Sequence, residues 1–158
     1  MNNAEALVSM LRTGGLRCKV GALLLSERYL GQERILATKL DIHCMDFAES
    51  VLQSIPPGAA FMALSVDKVL FILDSLANTR VARDCILLAN FDLPFSKLSY
   101  EARMDIWGKL LQDFPYKRNS LILAFPGVLE NSALIPEGSL KADWITAHRL
   151  ISLGTRNS

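Results

Sequence analysis

CILLANF, at residues 85–91, is the stretch that decides the fold. It is short and continuously apolar, and Asp92 follows it directly. A strand without polar alternation is buried on both faces, as in the centre of a parallel sheet. SLILAF, at residues 120–125, has the same character and runs into a Pro-Gly turn. Two such strands predict a parallel sheet that helices cover on both sides.

The segments before CILLANF predict further strands and helices. Residues 4–12 have apolar side chains at helical spacing, and residues 18–25 (CKVGALLL) have the pattern of a buried strand. The polar residues 26–33 form a loop or a short helix, and residues 34–42 (RILATKLDI) are predicted to be the next strand. Asp46 is predicted to open a helix that a Pro-Pro-Gly turn ends. The helical region at residues 59–76 is apolar almost all round.

The segments after CILLANF continue the alternation. Ser99 is a predicted N-cap for an amphipathic helix that reaches Asp113 and includes Trp107 as a core residue. Residues 128–142 are predicted to be mostly loop, and residues 143–153 a last helix or strand. Buried strands that alternate with helices predict an α/β fold, a three-layer sandwich with a mostly parallel sheet. No repeat or linker interrupts the chain, so residues 1–158 are predicted to be a single α/β domain.

Composition narrows the classes of function. The chain has 158 residues, of which 51% are hydrophobic and 21% charged, as in a globular domain. Its 17 Lys and Arg residues nearly balance 16 Asp and Glu residues, so the formal net charge is +1. This balance argues against a surface devoted to nucleic acid or to an anionic membrane. The mean hydropathy of +0.25 is high, which favours a protein partner or self-association in a homo-oligomer.

Export and membrane insertion are not expected. No window of about 18 apolar residues without charge is present, and the first residues lack the basic start of a signal peptide. Cys18, Cys44 and Cys85 form no CxxC motif. The sequence therefore predicts a reduced, cytoplasmic protein without a cofactor.

The motifs of nucleotide chemistry are missing. A phosphate-binding loop would read GxxxxGK[ST] after the first strand, and no such string occurs. Lys39 is not followed by a Ser or Thr that would reach magnesium. In a P-loop ATPase an apolar strand ends in an acidic residue that holds magnesium through water. Here Ala89 stands at that position, and Asp92 comes three residues later.

Three runs, RILATKLDIHCMDFAESVL, CILLANFDLPF and SLILAFPG, carry a family resemblance over residues 34–127. In pattern and order the chain resembles the small P-loop ATPase-like proteins of BREX phage-defence systems. It is similar both to the small ATPase of the type 3 system and to the B subunit of the commoner systems. The resemblance implies a P-loop NTPase-like core lacking the Walker motifs. It also implies a non-catalytic accessory subunit that binds a larger protein in a bacterial anti-phage or DNA-processing complex.

Alternative functions attach to particular residues. Asp92 and Lys39 are the candidates of a nucleotide-binding ATPase with an atypical loop, although an Asp before Leu-Pro more often caps a turn. Asp41, His43 and Asp46 are candidates for a metal or acid–base cluster, but metal sites usually need three or four convergent ligands. Cys44 is a candidate nucleophile only if a base lies beside it.

Two further sets of residues are candidates for binding macromolecules. Trp144, Ile145 and Leu150 are large apolar residues after a loop that bears Pro and Gly, so they are candidates for a partner surface. The alternative is that this segment is a last core element. Lys117 and Arg118 are candidates for contact with phosphates, which would make the chain a nucleic-acid-binding accessory.

Overall fold

The computed structural model describes residues 2–13, 15–16, 18–54, 64–81, 83–114, 118–130 and 132–153. Within these ranges, helices and strands alternate along most of the chain. The helices are α1 (Asn2–Thr13), α2 (Glu33–Leu40), α3 (Phe47–Gln53), α4 (Val66–Ala77), α5 (Asp92–Phe95), α6 (Tyr100–Gln112) and α7 (Gly138–Thr146). The strands are β1 (Val20–Leu25), β2 (His43–Asp46), β3 (Cys85–Ala89), β4 (Ser120–Pro126) and β5 (Leu150–Leu153).

The five described strands form one parallel sheet in the order β2-β3-β4-β1-β5. Leu25 lies opposite both Pro126 and Leu153, so the carboxyl ends of β1, β4 and β5 are level. Asp46 lies opposite Ala89 at the carboxyl ends of β2 and β3. The predicted α/β class and the parallel sheet are confirmed.

Helices cover both faces of the sheet because side chains alternate along each strand. Ala22 and Leu24 of β1 pack into the core beneath α3, α4, α5, α6 and α7. Leu23 and Leu25 point to the opposite face, where α1 and α2 cover them. The continuous apolarity of β3 and β4 follows from this double burial, since both of their faces lie in a core.

The path of the chain places a switch point between β1 and β4. From β1 the chain crosses through α2 to the edge strand β2, and it then returns across the sheet through β3 and β4 to β5. Crossovers in opposite directions put their helices on opposite faces when each connection is right-handed. The connections that leave the neighbouring strands β1 and β4 therefore separate, and ligands of open α/β sheets bind at such a point.

One predicted strand is a helix. Residues 34–42 were expected to be extended, but the structure has α2 there and places the edge strand β2 after it. Leu36, Ala37 and Leu40 are buried at helical spacing, whereas Ile35 is exposed. The apolar run is thus one face of a helix, and β2 was missed because its four residues are all only partly buried.

Several local predictions are confirmed. Asp46 caps α3 and accepts a hydrogen bond at Oδ1 from the Glu49 N–H at 3.1 Å. Ser99 caps α6 through a 3.2 Å bond from the Ala102 N–H to its Oγ. Trp107 is fully buried, as expected. The prediction of a helix at residues 59–76 is confirmed from Val66 onward. Leu64 and Ser65 are not helical, and residues 59–63 lie outside the described residues.

The C-terminal segment is a core element, and the expectation that it carries an exposed aromatic anchor is wrong. The Trp144 side chain is 0% exposed, packs edge to face against Trp107 at 5.0 Å, and donates from Nε1 to the Trp107 carbonyl at 3.2 Å. Leu150 is also buried, in β5. Ile145, between them in sequence, is 50% exposed. Helix α7 buries Trp144, and it begins at Gly138, within residues 128–142 that the sequence predicted to be mostly loop.

Within the described ranges, no helix combines the length and the apolarity that a membrane crossing requires.

Candidate functional site

A crevice of about 860 Å³ opens at the carboxyl ends of β1, β4 and β5, beside the switch point. We call it the carboxyl-edge crevice. Its walls are mainly apolar, and Glu27 and Glu130 line it with them. The apolar side chains are Leu24, Leu25, Leu30, Val128 and Leu153. A concave, mainly apolar site with a few polar groups at a switch point is a binding-site candidate on geometric grounds.

Two smaller hollows extend the crevice along the same edge of the sheet. One, of about 160 Å³, shares Leu25 and Leu30 with the crevice and reaches Asp92. The other, of about 320 Å³, shares Gly31 and Glu33 with the first hollow and reaches Asp46 below α2. The crevice and the two hollows therefore lie side by side as a concave surface along the carboxyl edge from β5 to β2.

The loop between β1 and α2 forms one wall of this surface, and sequence reasoning did not single it out. Ser26 and Gly31 have the spacing of the two glycines in GxxxxGK[ST], and Gln32 and Glu33 stand at the lysine and hydroxyl positions. Gly31 has a φ of 77°, a conformation that glycine adopts without strain. A search for the intact string fails here. The strand–loop–helix context would have found the loop if residues 34–42 had been recognised as a helix.

The start of α2 is chemically unlike a phosphate site. The amide groups at a helix N-terminus favour an anion, and here Glu33 in the first turn supplies one from the chain itself. Gln32, the N-cap, makes no capping bond with its side chain. Where a phosphate-binding loop would have a lysine and a hydroxyl residue, this chain has the neutral Gln32 and the acidic Glu33.

The carboxyl end of β3 also departs from the nucleotide pattern. Ala89 is its last residue, and Asn90 follows in a left-handed conformation with φ 58°. The Asn90 side-chain amide donates to Oδ2 of Asp46 at 2.9 Å, while Oδ1 of Asp46 accepts from the Glu49 N–H at 3.1 Å. Oδ2 of Asp46 thus links the ends of β2 and β3, while Oδ1 caps α3.

Asp92 is the first residue of α5 and lines the smaller hollow. Burial raises the pKa of its carboxyl, its own backbone N–H opposes that rise, and the nearby Glu33 carboxylate adds to it. Asp92 was a candidate from sequence, and the structure does place it in the concave surface. Glu33, whose carboxylate adds to the rise in the pKa of Asp92, was not a candidate from sequence.

The concave surface is acidic. Five carboxylates line the crevice and its two hollows, and we call them the acidic rim: Glu27, Glu33, Asp46, Asp92 and Glu130. Among the lining residues that the structure describes, Arg34 is the one basic residue. Because the whole chain has a formal net charge of +1, negative charge is concentrated at this edge. Such a surface repels phosphate and attracts cationic groups.

Other candidates do not come together. Asp41 and Lys39 lie at the end of α2, at the amino edge of the sheet, where the Asp41 carboxylate pairs with the Arg83 guanidinium at 2.7 Å. His43 begins β2 and Asp46 ends it, so they lie at opposite ends of the strand. The candidate metal or acid–base cluster of Asp41, His43 and Asp46 therefore does not form in the structure. In the part of the chain that the structure describes, no three His, Cys, Asp or Glu side chains are placed to hold a metal ion.

The thiols are not arranged for catalysis. Burial raises the pKa of Cys44, which lines the hollow below α2, and raises that of Cys85 in β3 to about 12. A thiol with a raised pKa is protonated at neutral pH and is a poor nucleophile. Cys18 is buried at the amino side of β1.

The predicted nucleic-acid residues lie away from this site. Arg118 is exposed directly before β4, at the amino edge of the sheet. Lys117 lies outside the described residues. Contact of these residues with nucleic acid stays a prediction.

No family model matches this chain, and searches of the curated proteins and of the solved structures found no match either. The chemistry of the carboxyl-edge crevice is therefore the basis for a functional proposal.

Proposed function

We propose that this protein is a non-catalytic accessory subunit that binds a larger protein, built on a P-loop-like core that has lost its phosphate chemistry. The loop between β1 and α2 is the observation that carries the proposal. It has the position and the Ser26-to-Gly31 spacing of a phosphate-binding loop, but it presents Gln32 and Glu33 instead of Lys and Ser or Thr.

Phosphoryl chemistry needs positive charge at the site where this surface carries negative charge. Lysine and magnesium neutralise the phosphates in P-loop enzymes, and an acid at the end of a strand helps to hold the metal. Gln32 brings no charge, Glu33 brings the wrong sign, and Ala89 has no ligand atom. Two like charges at 4 Å repel by about 1 kcal/mol in water and about 4 kcal/mol near a protein surface. A triphosphate beside several carboxylates meets that repulsion repeatedly.

Protein binding agrees with the surface chemistry of the carboxyl edge. Ile35, Leu93 and Val128 are exposed around the concave surface. Apolar side chains surrounded by charged groups are typical of protein interfaces, where the apolar groups supply affinity and the charges supply orientation. The proposed setting is a cytoplasmic, bacterial anti-phage defence assembly of the BREX type, and its support is the sequence resemblance over residues 34–127.

Calorimetric titration with Mg-ATP tests the loss of nucleotide chemistry. We expect no binding heat and no rise in melting temperature, because the phosphate-binding charges are missing. A ligand at about 100 times its Kd would add about 2.7 kcal/mol of stability, which a thermal scan detects easily. Saturable binding of Mg-ATP, with Mg²⁺ alone as the control, would show that the alternative of an atypical ATPase is correct.

Co-expression with the products of neighbouring genes tests the accessory role. We expect one larger protein to co-elute with this chain at a fixed ratio in gel filtration. If the chain elutes alone in every combination, or only as a homo-oligomer, the accessory role is wrong.

A further inference from the structure

We propose that the carboxyl-edge crevice receives a basic segment of the partner protein. An apolar side chain of that segment inserts into the crevice, and its Lys or Arg side chains contact the acidic rim. This inference rests on the proposed function, since it describes the partner of that function by its chemistry.

The shape of the crevice supports an inserted side chain. Its volume of about 860 Å³ exceeds that of one large side chain, and Leu30 and Val128 form part of its apolar lining. Val128 is 78% exposed although it is a large β-branched residue. Burial of a Leu or Phe side chain against such a wall stabilises a complex, and interfaces concentrate their affinity in a few anchors of this kind.

The negative charge around the crevice indicates that the partner segment is positively charged. Glu27 and Glu130 line the crevice itself, and the other three carboxylates of the acidic rim line the hollows that continue it. Glu130 accepts a long hydrogen bond of 3.4 Å from the Ser152 hydroxyl at one oxygen. Among the lining residues of the described chain, Arg34 alone opposes this charge. A segment with Lys and Arg complements this surface, whereas nucleic acid, an anionic membrane and an acidic peptide are repelled.

The extent of the site along the edge of the sheet favours a peptide segment as the occupant. The crevice and its hollows lie side by side as a trough along the edge from β5 to β2, with Leu25 and Leu30 lining the first two and Gly31 and Glu33 lining the last two. Ile35 and Leu93, which are both more than half exposed, flank the trough on α2 and α5. An extended or helical segment places its side chains along such a trough at regular spacing.

A displayed library of random peptides of ~16 residues, selected on the full chain at ~150 mM salt, tests the proposal. We expect enrichment of peptides that have at least two Lys or Arg residues beside a large apolar residue. Synthetic copies of the enriched peptides should bind in fluorescence anisotropy, and their affinity should fall as salt is added. Enrichment of uncharged or acidic peptides, or no enrichment at all, would overturn the proposal.

Two variants locate the binding site. Val128→Lys removes an apolar contact and adds a charge that repels the peptide, so affinity should fall ~10-fold or more. The double variant Glu27→Gln, Glu130→Gln should weaken binding ~10-fold and flatten its dependence on salt. Ile145→Lys is the matched control, since Ile145 is similarly apolar and 50% exposed, on α7. Its affinity should equal that of the unchanged protein, and melting curves confirm that each variant is folded.

The outcomes separate this inference from the proposed function. If the peptides bind the Val128→Lys protein and the double variant as tightly as the unchanged protein, the partner surface lies elsewhere. The inference would then be wrong, while the accessory role would stand. Binding of Mg-ATP, measured separately, would instead remove the proposed function. Equal losses in the Ile145→Lys control would also overturn the crevice as the site.

Discussion

The pKa of Asp92 reflects the surroundings of this residue in the acidic rim. Burial is the main cause of its raised pKa, and the Glu33 carboxylate adds to it. The native pKa therefore lies above the ordinary value of 3.8, so between these two values the native state binds more protons than the unfolded chain. In that window the stability contributed by Asp92 is present at low pH and is lost as the pH rises.

Replacement of Asp92 by Asn removes this pH-dependent cost. We expect Asp92→Asn to raise the free energy of unfolding at neutral pH relative to the unchanged protein, and the difference should shrink towards about pH 4. Urea denaturation over a series of pH values measures it. Asp143→Asn, an exposed residue on α7, serves as the control. A destabilised Asp92→Asn protein at neutral pH would contradict the argument, because the carboxylate would then be stabilising the fold.

Sequence reasoning found Asp92 but not the other residues around it. Asp92 is conspicuous because it directly follows CILLANF, the continuously apolar run at residues 85–91. Glu33 lies in a polar stretch with no intact motif, and it lines the same hollow as Asp92 only because β1 and β3 end at the same edge of the sheet. That proximity depends on strand pairing between distant parts of the chain, and local patterns carry no information about it.

Among the elements, the strands that the sequence predicted, β3 and β4, are buried on both faces, whereas the missed strand β2 is only partly buried. Strands β3 and β4 were found because they are continuously apolar, and this apolarity is a consequence of their central position. Residues 34–42 were misread because a short apolar run fits a strand and a helix face equally well. Strand β2 lies at the edge of the sheet, beside β3, and its four residues are partly exposed. Its sequence therefore lacks the continuous apolarity of a central strand.

Two glycines in different elements should respond in opposite ways to the same substitution. A Cβ on Gly127, at the end of β4, would lie 2.9 Å from the Leu25 carbonyl oxygen, and this backbone atom has no rotamer that avoids it. A Cβ on Gly108, within α6, would meet no heavy atom within 4 Å. We expect Gly127→Ala to destabilise the protein by ~1–3 kcal/mol and Gly108→Ala to stabilise it by ~0.5–1 kcal/mol. Urea denaturation measures both changes.

Each glycine variant is the control for the other. If Gly127→Ala were neutral, β1 and the turn after β4 would be free to separate, and that wall of the carboxyl-edge crevice would not be rigid. If Gly108→Ala were destabilising, the α6 surface at this position would pack more closely than the structure shows.

Across the whole molecule, one face of the sheet carries a continuous series of aromatic contacts. Phe47 of α3 contacts Phe91 at 4.6 Å between ring centroids, Phe91 contacts Phe95 at 5.0 Å, and the series continues through Trp107 to Trp144 of α7. Elements from the middle and the end of the chain therefore share one core. Trp144 is buried because it belongs to this series of aromatic contacts. The hydrophobic sequence of residues 143–153 fits a buried core element and an exposed patch equally well, so it did not decide between them.

The neighbouring residues Trp144 and Ile145 test whether the C-terminal segment belongs to that core. Trp144 contacts Trp107, and the Arg149 guanidinium lies 5.3 Å from its ring centroid, so its truncation leaves a cavity and exposes a buried cation. We expect Trp144→Ala to lose ~3–5 kcal/mol of unfolding free energy, whereas Ile145→Ala, at a half-exposed position, should lose less than ~1 kcal/mol. Chemical denaturation of both variants measures the difference. Because the two residues are adjacent on α7, a general sensitivity of the helix would affect both equally. A loss below ~1 kcal/mol in Trp144→Ala would mean that α7 does not pack against α6, and the indole would again be a candidate for a partner surface.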